Sequence, residues 1–248
     1  MYPRVIGVIS GKGGVGKTTT VLNLSAALNE MNKNVVAIDA DVKMSGLALQ
    51  LGMYYFPVTL NDVLKDIEDL YRAVYIHSSG LRVIPASICL EDCNISNLKK
   101  ILNHTSMQNN MIIVDGPPGL EKNALSVMES CKRILVVTEP ELPAITDVMK
   151  IVNLCREREV KLIGVVINKY RKGREQITKE EIESTLQVPI IGVIPEDKNV
   201  KKSVFRKKPI VLAKPYSPAS VAYKKIAARL VGEKYEEENI IKRLVGRF

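Results

Sequence analysis

The chain is poor in the side chains that build covalent or metal-based frameworks, with only 4 cysteines and 2 histidines in 248 residues. Cys89, Cys93, Cys131 and Cys155 are too few and too scattered for a disulfide scaffold. Cys89 and Cys93 form the only close pair, and neither a second pair nor a neighbouring histidine completes a metal site; His77 and His104 stand apart. No apolar run reaches the ~18 residues needed to span a bilayer. Met1-Tyr2-Pro3-Arg4 leads directly into Val5–Ile9, without the long apolar region and small-residue cleavage site of a secretory signal. The cytoplasm is therefore the expected compartment. Acidic residues are also in deficit, 27 against 36 lysines and arginines, for a formal charge of +9. Such a field favours anions but does not choose among nucleotides, nucleic acid and acidic lipid headgroups.

What is present is enough apolar material, 46% of residues, for one full core, and no linker or internal repeat divides it. Short β-branched runs alternate with helical segments, the pattern of an α/β domain with a mostly parallel twisted sheet and helices on both faces. Strands are expected at Val5–Ile9, Val35–Ile38, Leu81–Pro85, Met111–Asp115, Ile134–Thr138, Leu162–Ile167 and Ile190–Val193. Helices are expected at Lys17–Met31, Thr59–Lys65, Ile95–Leu102, Glu121–Cys131, Pro143–Arg158, Thr178–Leu186 and Ser217–Val231. Thr178-Lys179-Glu180-Glu181 reads as a capping box. This body spans residues 1–233, and Gly232 suits a helix stop before a distinct tail, 234–248.

One motif decides the chemistry. The first strand runs into Gly11-Lys12-Gly13-Gly14-Val15-Gly16-Lys17-Thr18 and then a helix, which fits the phosphate-binding loop G-x-x-x-x-G-K-[ST] in its required context. The glycines let several backbone N–H groups face phosphate oxygens, and the helix start adds its positive dipole end. Lys17 supplies a point charge to the β- and γ-phosphates, and the Thr18 hydroxyl can ligate Mg²⁺. The loop and the adjoining Thr19 are thus the nucleotide-binding candidates.

Lys12 narrows the reading. Gly-Lys-Gly-Gly-Val-Gly-Lys-Thr carries a second lysine within the loop, and the chain resembles the MinD/ParA family of deviant Walker A P-loop ATPases, in the group that includes the nitrogenase iron protein. The resemblance covers nearly the whole chain and implies an ATP- and Mg²⁺-dependent homodimer, with Lys12 reaching the partner's phosphates. Asp39-Ala40-Asp41 matches the family's first switch, with Asp41 at the γ-phosphate or metal and Asp39 supporting the site. Lys12, Lys17 and Asp41 are then the catalytic candidates. Asp115-Gly116-Pro117-Pro118-Gly119 resembles the Walker B carboxylate and second switch; Thr18, Asp39, Asp41 and Asp115 form the metal set, and Gly119 is placed to sense phosphate. Glu141 and Asp147 match residues facing the other subunit, Glu141 toward its ribose or loop and Asp147 toward Lys12. Asn168-Lys169 and Pro195-Glu196-Asp197 match positions that hold adenine, and Lys169-Tyr170-Arg171 lacks the aspartate that selects guanine.

Two departures stand out: Gly46 precedes the leucine of the first switch helix where the family usually has asparagine, and Pro118 stands where alanine is common. Both bear on hydrolysis rate and response to an activator. In the tail, Ile240, Ile241, Leu244, Val245 and Phe248 fall on one helical face beside Lys242, Arg243 and Arg247, and the segment resembles the family's C-terminal membrane-targeting helix. The implied function is an ATPase switch for division-site or related spatial positioning. It is cytoplasmic, and peripheral on an anionic inner membrane face when ATP-bound, with an activator protein as partner. Lys198–Lys208 places six cations and no acid in eleven residues, so a DNA-partitioning relative of the ParA type is the competing reading. An iron–sulfur scaffold of the same fold is disfavoured, because no cysteine follows the second switch closely.

Overall fold

The computed structural model describes residues 5–87, 95–106, 111–171, 173 and 176–236. The elements run in the order β1 (Val5–Ser10), α1 (Lys17–Glu30), β2 (Val35–Asp39), α2 (Leu47–Gln50), α3 (Leu60–Leu64), β3 (Tyr75–Ile76), β4 (Arg82–Ile84), α4 (Leu98–Ser106) and β5 (Met111–Pro118). They continue as α5 (Lys122–Cys131), β6 (Arg133–Thr138), α6 (Leu142–Glu157), β7 (Lys161–Tyr170), α7 (Lys179–Leu186), β8 (Ile190–Pro195), α8 (Lys198–Phe205), α9 (Ile210–Ala213) and α10 (Pro218–Val231). Each of the seven expected strands is present, and the Thr178/Glu181 capping box closes at the start of α7.

Eight strands form one sheet in the order β3-β4-β2-β5-β1-β6-β7-β8, with β3 antiparallel at its edge and every other pairing parallel. Successive residues of each inner strand enter opposite cores, as the two-residue side-chain period requires. Ile6, Val8, Ala37, Ile113 and Val137 pack with α1 and α10, while Ile9, Ile38, Val114, Val136 and Ile167 pack with α5, α6 and α7. Both faces being covered explains why the strands read as unbroken apolar runs.

The chain first builds outward from β1 to β2 and β4, inserts β5 between β2 and β1, and then crosses to β6 on the other side of β1. In open α/β sheets the crevice beyond the carboxyl ends of the strands at such a reversal is where ligands bind. Ser10, Asp39, Asp115, Thr138 and Asn168 all lie at or near those ends and are all buried. Four elements were not legible in the sequence. α2 and α9 have four residues each, β3 has two, and α8 lies inside the lysine-rich run, where only Val200 and Val204 mark an apolar face.

Candidate functional site: a glycine loop and the cleft beside it

The loop from Gly11 to Gly16 turns from β1 into α1, and its glycines meet close neighbours. A Cβ on Gly11 would lie 2.3 Å from the Asp147 Cβ of α6. At Gly16, φ is +88°, and a Cβ there would lie 2.3 Å from the Asn168 amide nitrogen. A larger residue at Gly11 would force α6 away from the loop, and one at Gly16 would push out the Asn168 amide and be strained at its positive φ. Around Gly13 and Gly14 no atom lies within 4 Å of where a Cβ would stand, so the outer side of the loop is an open cradle of backbone.

Two residues of β7 brace that cradle. The Asn168 amide donates to the Val15 carbonyl at 2.8 Å. Lys169, itself held at φ +54°, donates to the Gly14 carbonyl at 2.8 Å and pairs with Glu139 at 2.6 Å. Asn168 and Lys169 therefore brace the glycine loop, a role that sequence spacing did not reveal.

Lys17 is buried at the start of α1, and its ammonium lies 2.5 Å from Asp115 Oδ1 at the end of β5. The other carboxylate oxygen, Asp115 Oδ2, is buried with no partner. An orphaned anionic oxygen at this depth is costly unless a cation or bound water meets it. Asp39 is fully buried nearby; desolvation and the negative charge of Asp115 push its carboxyl above the usual range. Four donors hold it: Asp41 N–H on Oδ1 at 3.2 Å, and Ser45 Oγ, Gly46 N–H and Leu47 N–H on Oδ2 at 2.9, 3.1 and 3.1 Å. Asp39 thus ties the first switch to the sheet and opens α2. Desolvation also raises the Asp41 carboxyl, against the opposing pull of Lys17. With Thr18 beside them, these are hard oxygen donors. Among the described residues no three His, Cys, Asp or Glu side chains form a self-sufficient metal cage, which suits an ion held mainly by phosphate and water.

The second switch is anchored by the Gly119 N–H, which donates to the Ser10 carbonyl at 2.9 Å. A phosphate contact from that N–H requires this bond to exchange. Lys12 lies outside the buried cluster, with its ammonium 2.8 Å from Glu141 Oε2 in the same chain; that contact raises the lysine and lowers the glutamate. Asp147 instead pairs with Lys150 at 3.0 Å, although its charge still reaches Lys12.

Beside the loop opens a cleft of about 930 Å³, bordered by Gly14, Gly16, Thr19, Asn168, Lys169, Pro195, Glu196 and Asp197. Those predicted nucleotide residues are therefore brought together. The opposite wall is α8, through Val200, Lys201 and Val204, with Pro218 of α10; none of these was singled out in the sequence. Asp197 caps α8 by accepting from the Asn199 N–H at 2.8 Å, and its second oxygen is buried without a partner. An aspartate ahead of a helix is the signal that marks this wall. Glu196 forms an ion pair with Arg171. The Thr19 hydroxyl donates to Gln50 Oε1 at 3.0 Å, joining the nucleotide helix to the switch helix α2.

Cys131 and Cys155 are buried, and burial pushes both thiols up, Cys155 to about 11. Neither offers a ready thiolate for a cluster. Cys89, Cys93 and the tail residues Ile240 to Phe248 lie outside the described residues. No helix among those described is long and apolar enough to cross a membrane.

Known proteins share this arrangement. A family model described as "ParA: NUBPL iron-transfer P-loop NTPase" matches residues 2–231. An uncharacterised ATP-binding protein of Methanocaldococcus jannaschii is 38% identical over 236 residues, covering 94% of this chain and 89% of that protein. The septum site-determining protein MinD of Synechocystis is 32% identical, over 93% of this chain and 90% of that one. The structure of Pyrococcus horikoshii MinD complexed with Mg-ADP superposes with a TM-score of 0.86 at 32% identity, covering 92% of this chain and 96% of that one. With its two-lysine loop and buried switch carboxylates, the chain belongs to the MinD/ParA family of P-loop ATPases, on its MinD side.

Proposed function

We propose that the chain is a Mg²⁺-dependent ATPase whose nucleotide state switches it between a monomer and a membrane-attached homodimer, serving division-site placement or related spatial positioning. The observation that carries the reading is the buried Lys17–Asp115 pair with an orphaned Asp115 oxygen, set beneath an open glycine loop that continues into a cleft of about 930 Å³. The cleft border takes adenine and ribose, with Asp197 and Glu196 at its rim. Backbone N–H groups of Gly13 to Thr18 take the phosphates, and Lys17 turns from Asp115 to the β- and γ-oxygens. Thr18 and Asp115, with Asp41 adjacent and Asp39 behind, would hold Mg²⁺, which when bound neutralises charge developing on the transferred phosphoryl group. Asp41 orients the attacking water, and the Gly119 N–H leaves Ser10 for the γ-phosphate. Lys12 leaves Glu141 to reach the second subunit's phosphates, with Glu141 and Asp147 facing that subunit. An activator protein accelerates a turnover that is slow without it.

The tail completes the switch. Fully burying an apolar side chain is worth roughly 1.5–3 kcal/mol, and each cation near an anionic leaflet adds about 1 kcal/mol. Interfacial burial is partial, and so short a helix must be ordered on binding. One tail therefore binds weakly, whereas two on a dimer gain roughly a hundredfold by avidity.

This reading predicts that Ile241→Glu with Leu244→Glu abolishes ATP-dependent co-sedimentation with anionic vesicles while basal ATPase is retained. Both glutamates would be forced toward the bilayer and repelled by its charge. If the double variant unfolds or loses basal turnover, the tail is part of the core and not a membrane element.

A further inference from the structure

The sequence shows a basic stretch with one aromatic residue, Phe205, but the fold brings Tyr54 to its side, with Tyr55 next to it in the chain. Lys207 lies against the loop that follows α2. A Cβ on Gly52 would lie 2.8 Å from its Cγ, its ammonium is 3.4 Å from the Leu49 carbonyl, and it sits 5.8 Å from the centroid of the Tyr54 ring. Residues 49–57 and 198–208 therefore meet, and neither segment contains an acid. Tyr54, Tyr55 and Phe205 are 69%, 83% and 86% exposed. Among the described residues no ion pair engages Lys198, Lys201, Lys202, Arg206, Lys207 or Lys208; Lys198 and Lys201 line the cleft, where the charge of Lys201 helps to lower the Glu196 carboxyl, and the other four lie outside it. Exposed rings beside Lys202, Arg206, Lys207 and Lys208, none of them in an ion pair among the described residues, form an amphipathic surface.

We propose that this surface, made by the 52–56 loop, the C-terminal end of α8 and Arg206 to Lys208 just after it, is a second membrane contact that docks on an anionic bilayer interface. A bilayer interface satisfies both components at once, because rings settle at headgroup level and cations meet lipid phosphates. A nucleic-acid duplex satisfies only the cations, since its bases are already stacked and paired. The surface is also wired to the nucleotide. The same helix sends Val200, Lys201 and Val204 into the cleft, and α2, just ahead of the loop, is bonded through Gln50 to Thr19. Ligand and bilayer thus act on shared elements, and any effect of nucleotide on bilayer affinity must be returned as an equal effect of bilayer on nucleotide affinity. The proposal rests on the switch reading in requiring an anionic membrane, but not on the tail.

The test uses the full chain and vesicles of one part phosphatidylglycerol to two parts phosphatidylcholine, with pure phosphatidylcholine vesicles and a mixed-sequence duplex DNA oligonucleotide alongside. Tyr55→Ser/Phe205→Ser and Lys202→Gln/Arg206→Gln change exposed side chains away from the cleft, so unaltered nucleotide affinity certifies the fold. Each pair is expected to raise the vesicle dissociation constant at least about tenfold, and to do so again when added to Ile241→Glu/Leu244→Glu. Parental vesicle affinity in both patch variants would overturn the proposal while leaving the tail reading intact. Loss in the patch variants, with the tail variant unaffected, would uphold the patch and remove the tail. If the oligonucleotide competes the protein off vesicles and its binding is the property the patch variants lose, the surface is a nucleic-acid site and the proposal fails. A parent that binds neither vesicle overturns both readings together.

Discussion

Lys17→Ala is expected to lower ATP turnover by at least about a hundredfold, since the positioned cation stabilises phosphate charge most strongly in the transition state. ATP affinity falls as well. The structure adds a second consequence. Lys17 is the cation set within the buried group of Asp39, Asp41 and Asp115, and its charge partly offsets the rise that burial gives the first two carboxyls. Removing one member of a buried ion pair costs about 3–5 kcal/mol where the other charge cannot relax. The variant should therefore melt earlier in the absence of nucleotide, and turnover must be measured per folded molecule. Near-parental hydrolysis by folded Lys17→Ala protein would end the ATPase reading.

Lys12→Ala should leave the monomer nearly untouched and remove the dimer. Its contact with Glu141 is at the surface, between a half-exposed lysine and an exposed glutamate, so it contributes little to folding. Its value lies in what it can be exchanged for. Asp41→Ala slows hydrolysis and should trap the ATP-bound dimer. On that background, light scattering with ATP should report a dimer, and the further Lys12→Ala change should return it to a monomer that still binds ATP. A double variant that dimerises as well as Asp41→Ala would show that Lys12 serves only its in-chain partner.

The phosphate loop was legible because its chemistry is local: eight consecutive residues, a strand before and a helix after. The strands were legible for a related reason, since both faces are buried and apolar runs are continuous. What sequence reading did not reach is tertiary. Asn168 and Lys169 fitted an adenine role by position, yet their side chains hold the Val15 and Gly14 carbonyls some 150 residues away in the chain. Gln50 belongs to a single turn of helix with no periodicity to announce it, so its bond to Thr19 had no signal. α8 was masked by its own lysines, and with it the far wall of the cleft. Nothing in the sequence brings Tyr54 to the basic stretch; its neighbour there, Lys207, is more than 150 residues further along the chain. Asp39 carried a signal that was read only in part: an aspartate before a turn caps it, and here it holds the whole first switch.

The central claim is that nucleotide state governs attachment to a membrane. Its most direct test is the affinity of the full chain for phosphatidylglycerol-containing vesicles, measured with Mg²⁺ and either a non-hydrolysable ATP analogue or ADP. Avidity from two tails predicts binding roughly a hundredfold tighter with the analogue, weakening as salt shortens the Debye length. Equal vesicle affinity in the two nucleotide states would contradict it.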